Sequence, residues 1–406
     1  MNVQCLKCKG RNFCNRPVCP IRTKLNSQKK VNISAKQDFF GESPNVFVGK
    51  FGYPKVNVGF LSVEQYEDHD APLKWSLENK QINEIIDLRT SLINSQFKAN
   101  IKGFDDRLVE ISQEVSLASK PVDVEINLNK KPSFDLNFNQ DTMPHGPNVK
   151  INKIKITENT KIPLAVDKLV NDCVSATDAV SLLYKKNFDE HYLTKILSVG
   201  NLGFDKNKKL VPTRWSITAV DDIIGKKLIS EIKDNSQMGY FAWFGGYLGN
   251  YYLVLSFPDV WRYELFEMLA NQPQVVGVGA NLSFATDYED HGGRREYAHS
   301  TAGGYYAARI AILEKLKLLK KQGSILCLRF ITDEYWAPLG VWVCRNATRK
   351  SLNSFGGGGL EFGSRELLID YAIKLARKKF SFNLEPILRQ SKLLNEVKLQ
   401  KKLFEF

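Results

Sequence analysis

Four cysteines set the first limit on this chain. Cys5, Cys8, Cys14 and Cys19 fall within fifteen residues in the pattern C-x2-C-x5-C-x4-C. A stretch this short, with few apolar residues, cannot bury a core of its own and needs a staple to fold. Four thiolates complete a tetrahedral site, so the reading is a structural Zn2+ module with no position left open for water. An iron–sulfur cluster uses the same ligand set, and four ordinary reduced cysteines are the plain alternative. The other three, Cys173, Cys327 and Cys344, sit in apolar sequence and read as core residues. Seven cysteines, four of them clustered, are not a secreted disulfide framework. With no signal-peptide pattern and no apolar run near the ~18 residues that span a bilayer, the expectation is a cytoplasmic protein without a membrane segment.

The rest of the 406-residue chain is large enough for a substantial core, and 43% hydrophobic against 25% charged residues excludes wholesale disorder. Residues 1–24 form the cysteine module and residues 25–42 a polar linker. Residues 43–385 are the globular body, and residues 386–406 a basic helix and tail. The formal net charge is +13, and its placement is uneven. Residues 1–37 carry nine basic side chains and no acid, and residues 374–406 carry nine against three acids. The body between them has 39 basic and 41 acidic residues. The excess therefore lies at the ends, where it either keeps the chain in solution or meets phosphates.

Within the body, Val46–Val48 and Val56–Val58 read as strands around a Gly52-Tyr53-Pro54 turn, and Val122 to Leu128 as a half-buried strand. Residues 129–160, rich in Asn, Pro and Lys, read as a long loop between two halves. Residues 163–198 have helical spacing. Phe241 to Phe257 reads as an aromatic hairpin turning near Gly249-Asn250. Ser324–Ile331 and Leu339–Cys344 read as further core strands, and 301–321 and 364–380 as helices. Strands and helices mix without a regular βαβ beat, which favours an α+β fold with a mixed sheet.

Two polar clusters stand out. Pro212-Thr213-Arg214-Trp215-Ser216 precedes a helix whose face is Val220, Ile223, Ile224, Leu228 and Ile232. Thr218 and Asp221 have capping-box-like spacing there. An Arg beside an aromatic grips phosphate and stacks a base, so Arg214 and Trp215 are candidate nucleic-acid residues; core packing of Trp215 is the competing reading. The second cluster, His291-Gly292-Gly293-Arg294-Arg295-Glu296 through His299 to Tyr306, leads into a helix. It reads either as a phosphate cradle, with Arg294 and Arg295 as anion ligands, or as ordinary Gly-rich turns. If the body is an enzyme, Asp221, Glu296 and His299 are the candidates for proton or metal chemistry. Gly356–Gly359 is a connector or lid.

The segment Gln400-Lys401-Lys402-Leu403-Phe404-Glu405-Phe406 resembles the Q-x-x-aliphatic-x-x-aromatic peptide by which replication and repair proteins dock on the sliding clamp. One helical turn would put Leu403 and Phe406 on one face, with Gln400 capping the contact and Phe404 beside it. Folding of Phe404 and Phe406 back onto the body is the alternative.

Ser43-Pro44-Asn45-Val46-Phe47-Val48-Gly49, Gly52-Tyr53-Pro54, Pro121-Val122-Asp123-Val124 and Leu210-Val211-Pro212-Thr213-Arg214-Trp215-Ser216 together resemble the archaeal Nre (NreA/NreB) DNA-repair proteins. The cysteine module and the tail fit the same resemblance, which runs essentially end to end. It implies a repair factor recruited to DNA through the clamp PCNA, and it supplies no catalytic residues. In Met143-Pro144-His145-Gly146-Pro147, His145 intrudes into a family Pro-Gly loop. A DNA- or nucleotide-directed enzyme, nuclease or ADP-ribosyl-transfer-like, and an RNA- or ribosome-associated zinc protein are the other readings.

Overall fold

The computed structural model describes residues 19, 22–23, 26, 36–133, 145–270 and 284–399. Cys5, Cys8, Cys14, Gln400, Leu403, Phe404 and Phe406 lie outside them. The described residues divide into two compact units. The first runs to Ile224 and takes in Trp336–Leu339; the second comprises Gly225–Tyr335 and the residues from Gly340 onward.

The first unit is a closed barrel of five strands. These are β1 (Asp38–Val48), β2 (Lys55–Val63), β3 (Ile93–Asn100), β4 (Val122–Leu128) and β5 (Asn148–Ile156), in the order β1-β2-β3-β5-β4. Every pair is antiparallel except β3 with β5. β1 closes the barrel by serving two neighbours. Its first half pairs with β4 and its second half with β2, and the register shifts between Glu42 and Asn45. Pro44 sits in that irregularity, where its missing N–H costs no ladder bond. Alternate residues Val46, Val48, Val56, Val58, Phe60, Phe97, Val122, Val124 and Ile126 fill the interior.

Short helices α1 (Pro72–Leu77) and α2 (Ile82–Ser91) lie between β2 and β3. Helix α3 (Arg107–Leu117), capped by Asp106, joins β3 to β4 and adds Val109, Ile111 and Val115 to the barrel core. Strand order, the single parallel pair and the helix between the third and fourth strands are the topology of an OB barrel. Helices α4 (Leu164–Asn171), α5 (Ala176–Lys185) and α6 (Glu190–Ser198) follow, and α6 packs on β1 and α3. Residues 129–160, read from composition as a loop, thus contain β5. Its lysines hid two short alternating runs, Val149 with Ile151 and Ile154 with Ile156, which a register irregularity between them lets face the same core.

Helix α7 (Thr213–Ile232) spans the division between the units. It starts at Thr213, so Thr218 is a mid-helix residue and the expected capping box does not form. Val220, Ile224, Leu228 and Ile232 are buried as the spacing requires, while Ile223 of the same expected face is half-buried.

The second unit is built on a sheet of order β10-β9-β12-β8-β7-β13. Its strands are β7 (Tyr240–Tyr247), β8 (Asn250–Phe257), β9 (Arg262–Leu269), β10 (Phe284–Glu289), β12 (Ser324–Ile331) and β13 (Leu360–Phe362); β6 (Ser236–Gln237) and β11 (Lys321–Gln322) form a separate two-stranded parallel pair. Only β12 with β9 is parallel within the sheet, so the α+β expectation holds. The β7–β8 hairpin turns at Leu248-Gly249, both left-handed. Leu253, Leu255, Phe257, Leu326, Leu328 and Phe330 face α10 (Arg365–Phe380), α11 (Glu385–Gln390) and α12 (Lys392–Leu399). The alternate residues face α8 (Ala302–Leu319) and α9 (Trp342–Leu352). Residues 339–344 are therefore not a strand. Val341, Trp342 and Val343 carry strand propensity, but the tertiary setting, a helix buried on all sides from Trp342 to Thr348, overrides it.

Candidate nucleic-acid interface

One rim of the barrel is formed where the β1–β2 connection meets the start of α7. The turn is tight: Lys55 N–H donates to Gly52 O at 2.8 Å, and Gly49 N–H to Asn57 O at 2.8 Å. Gly52 has φ +86°, and a Cβ there would lie 2.6 Å from Lys55 O, so glycine is required. A chain of backbone bonds ties this turn to α7. Ile101 N–H donates to Pro54 O, and Leu210 N–H donates to Ile101 O. Val48 N–H then donates to Thr213 Oγ1 at 2.9 Å, fixing the helix start to the end of β1. Leu210, Pro212 and Ser216 are buried in this junction, which leaves Arg214 and Trp215 exposed.

Three large rings are thereby held at the surface. Phe51 is 56% exposed, Tyr53 45% and Trp215 50%. Tyr53 and Trp215 have ring centroids 5.7 Å apart at 47°, and Lys50 Nζ lies 5.1 Å from the Phe51 centroid. Exposed aromatics held rigid by a backbone network cost solvation without stabilising a core, which is the economy of a stacking surface.

The adjoining strands carry a second signal. β2, β3 and β5 contain Lys55, Lys98, Lys150, Lys153 and Lys155 and no carboxylate, whereas β1 and β4 hold Asp38, Glu42, Asp123 and Glu125. All five lysines are exposed. Because β3 lies between β2 and β5, Lys55, Lys98 and Lys150 mark one continuous positive face. The β2–β3 face and the β1–β2 loop are the surfaces with which OB barrels hold oligonucleotides.

Behind β1 is a polar cluster that sequence reading missed. Asp70 is buried; its Oδ2 accepts from Asn45 Nδ2 and from His191 Nε2 at 2.9 Å, and its Oδ1 accepts from Arg89 Nη2 at 3.1 Å. Burial alone would raise the Asp70 pKa, but the His191 and Arg89 charges and the hydrogen bonds to the carboxylate hold it well below the usual range. Burial pulls His191 down and Asp70 outweighs it, so its pKa is raised. Burial lowers Lys195 to about 8 against the opposing pull of Asp70 and Asp189, while its Nζ donates to Ala118 O at 2.9 Å. The cluster fastens the irregular part of β1 to α2 and α6. His145 is likewise structural in setting: it is buried, within hydrogen-bond distance of Asn94, and edge-on to Phe47.

The remaining candidate residues are divided between the two units. Asp221 is fully buried within α7. Arg294 belongs to the second unit and is spent on its own loop. It pairs with Asp287 at 2.9 Å, donates to Glu296 O, Tyr288 O and Tyr297 O, and lies over the Tyr305 ring. Thr301 at the start of α8 donates its N–H and hydroxyl to Asp287 Oδ2, so a carboxylate of the chain occupies that helix end. Arg295, Glu296 and His299 are exposed beyond it. Among the described residues no group of His, Cys, Asp and Glu could hold a metal ion. Of the four thiols of the cysteine module only Cys19 is described.

These features define an α+β protein whose first unit is an OB-type barrel with an aromatic rim and a lysine face. The family model for archaeal Nre, N-terminal, matches residues 13–274 and that for archaeal Nre, C-terminal, residues 289–406. The chain belongs to the archaeal Nre family. It is 36% identical over 363 residues to "DNA repair protein NreA" of Archaeoglobus fulgidus, covering 87% of this chain and 90% of that protein. It is 35% identical to the protein of the same name from Haloferax volcanii, covering 80% of each. It is 32% identical to "DNA repair protein NreB" of Archaeoglobus fulgidus over the full length of both. No solved structure matches the chain, and no helix among the described residues is long and apolar enough to cross a membrane.

Proposed function

We propose that the chain is a DNA-repair factor that holds single-stranded DNA on its barrel and reaches its site of action by docking on the sliding clamp PCNA. The observation that carries this reading is the exposed Tyr53–Trp215 pair beside the continuous lysine face of Lys55, Lys98 and Lys150, on strands that hold no acid. Phe51, Tyr53 and Trp215 stack bases, while Arg214, Lys55, Lys98 and Lys150 follow the phosphates. The names of the relatives support the repair role. In this reading Gln400, Leu403, Phe404 and Phe406 form the clamp-docking peptide, and tethering raises the local concentration on DNA without high intrinsic affinity. Cys5, Cys8, Cys14 and Cys19 hold a structural Zn2+, whose −2 tetrathiolate charge is offset by Lys7, Lys9, Arg11 and Arg16.

Titrating labelled single-stranded DNA, duplex DNA and RNA at several salt concentrations tests the ligand. Single-stranded DNA should bind tightest. A preference for duplex would contradict the stacking role.

A further inference from the structure

The second unit has a largely buried lysine side chain whose ammonium lacks a counter-ion among the described residues. Lys315, near the C-terminal end of α8, is nine-tenths buried. Among the described residues its ammonium has no hydrogen-bond or ion-pair partner. The carboxylate next to it in sequence is not available. Glu314 is gripped by the Arg349 guanidinium through two bonds, Nε to Oε2 at 2.8 Å and Nη2 to Oε1 at 2.7 Å. Burial lowers the Lys315 pKa, and no charge opposes that effect. A partly desolvated cation without a counter-ion favours an anion beside it.

The ammonium points at the Gly356–Gly359 loop. A Cβ on Gly357 would lie 2.9 Å from Lys315 Nζ, and Gly357 has φ +82°. Gly356 and Gly359 are also left-handed, at φ +64° and +80°. A Cβ on Gly356 or Gly358 would meet nothing within 4 Å, so the loop is open on that side. Its position is nevertheless set. Trp243, buried on β7, donates its indole N–H to Gly357 O at 3.4 Å, and a Cβ on Gly359 would strike the same indole at 2.6 Å. A glycine backbone with left-handed residues, held against a wall and facing a lysine ammonium without a counter-ion, is an arrangement in which proteins receive phosphate groups.

The geometry points to a phosphate-binding site made by Lys315 and the Gly356–Gly359 loop in the second unit, separate from the barrel. Its ligand is a phosphate group, carried either by a nucleotide or DNA end or by free phosphate.

The test is binding to the full chain of three probes at matched ionic strength: inorganic phosphate, a nucleoside 5′-monophosphate and a 5′-phosphorylated oligonucleotide compared with its 5′-hydroxyl form. Lys315→Met keeps the apolar stem and removes the charge. Gly357→Ala puts a methyl group where the ligand would sit. At least one phosphate probe should bind the wild type and lose tenfold or more in both variants, and the probe bound tightest identifies the source. The proposal is overturned if no phosphate probe binds beyond a chloride control, or if either folded variant binds as the wild type does.

Discussion

Trp215, in the first turn of α7, meets Tyr53 of the β1–β2 turn with ring centroids 5.7 Å apart, and both rings stay about half exposed. This contact joins two segments that each read as a turn or a helix start, and it sets two half-exposed rings side by side on the barrel rim.

The lysine face should carry the salt dependence of binding. Replacing Lys55, Lys98 and Lys150 together by Gln should lower the slope of log K against log salt for single-stranded DNA by about 2. An unchanged slope would place the phosphates elsewhere.

The tail should act independently of the body. Deleting residues 400–406 should abolish heat of binding to PCNA in titration calorimetry, with the thermal unfolding midpoint of the body unchanged. Full clamp binding by the truncated chain would contradict the docking role.

The cysteine module should bring one zinc per chain by elemental analysis, and Cys8→Ser should release it while the barrel still unfolds cooperatively. Iron in its place would replace the zinc reading with a cluster.

The Asp70 cluster should govern the pH response of the first unit. Asp70→Asn leaves Arg89 and His191 facing a neutral amide and should cost ~3–5 kcal/mol of stability. The raised His191 pKa contributes stability that is present below about pH 6.5 and is lost as pH rises through the folded-state value. His191→Gln should therefore flatten the loss seen in the wild type above about pH 6.5, as followed by denaturant unfolding. Equal pH dependence in both proteins would remove His191 from this role.

Local signals were legible where one segment sufficed. The β1–β2 turn, the β7–β8 hairpin, α8 and α10 all follow from periodicity and turn residues. Arg214 and Trp215 were marked by their own chemistry, and the structure exposes both. What the sequence concealed depends on closure. The body's charge nearly cancels, yet barrel order gathers Lys55, Lys98 and Lys150 onto neighbouring strands and sends Asp38, Glu42, Asp123 and Glu125 to β1 and β4. β5 was lost in a Lys- and Asn-rich stretch because a register irregularity breaks its alternation and few apolar residues mark it. The Asn45–Asp70–Arg89–His191 group forms only when the irregular part of β1, the loop before α1, α2 and α6 come together. Arg294 looked like an anion ligand because sequence spacing does not reveal that Asp287 on β10 claims it.

The most direct test of the account is the affinity of Tyr53→Ala, Trp215→Ala and the double variant for single-stranded DNA at fixed salt. Each single change should cost about 1–3 kcal/mol of binding free energy with folding intact. The double variant should lose less than the sum, because the two rings form one surface. Affinity equal to the wild type in the double variant would contradict the barrel rim as the DNA-binding surface.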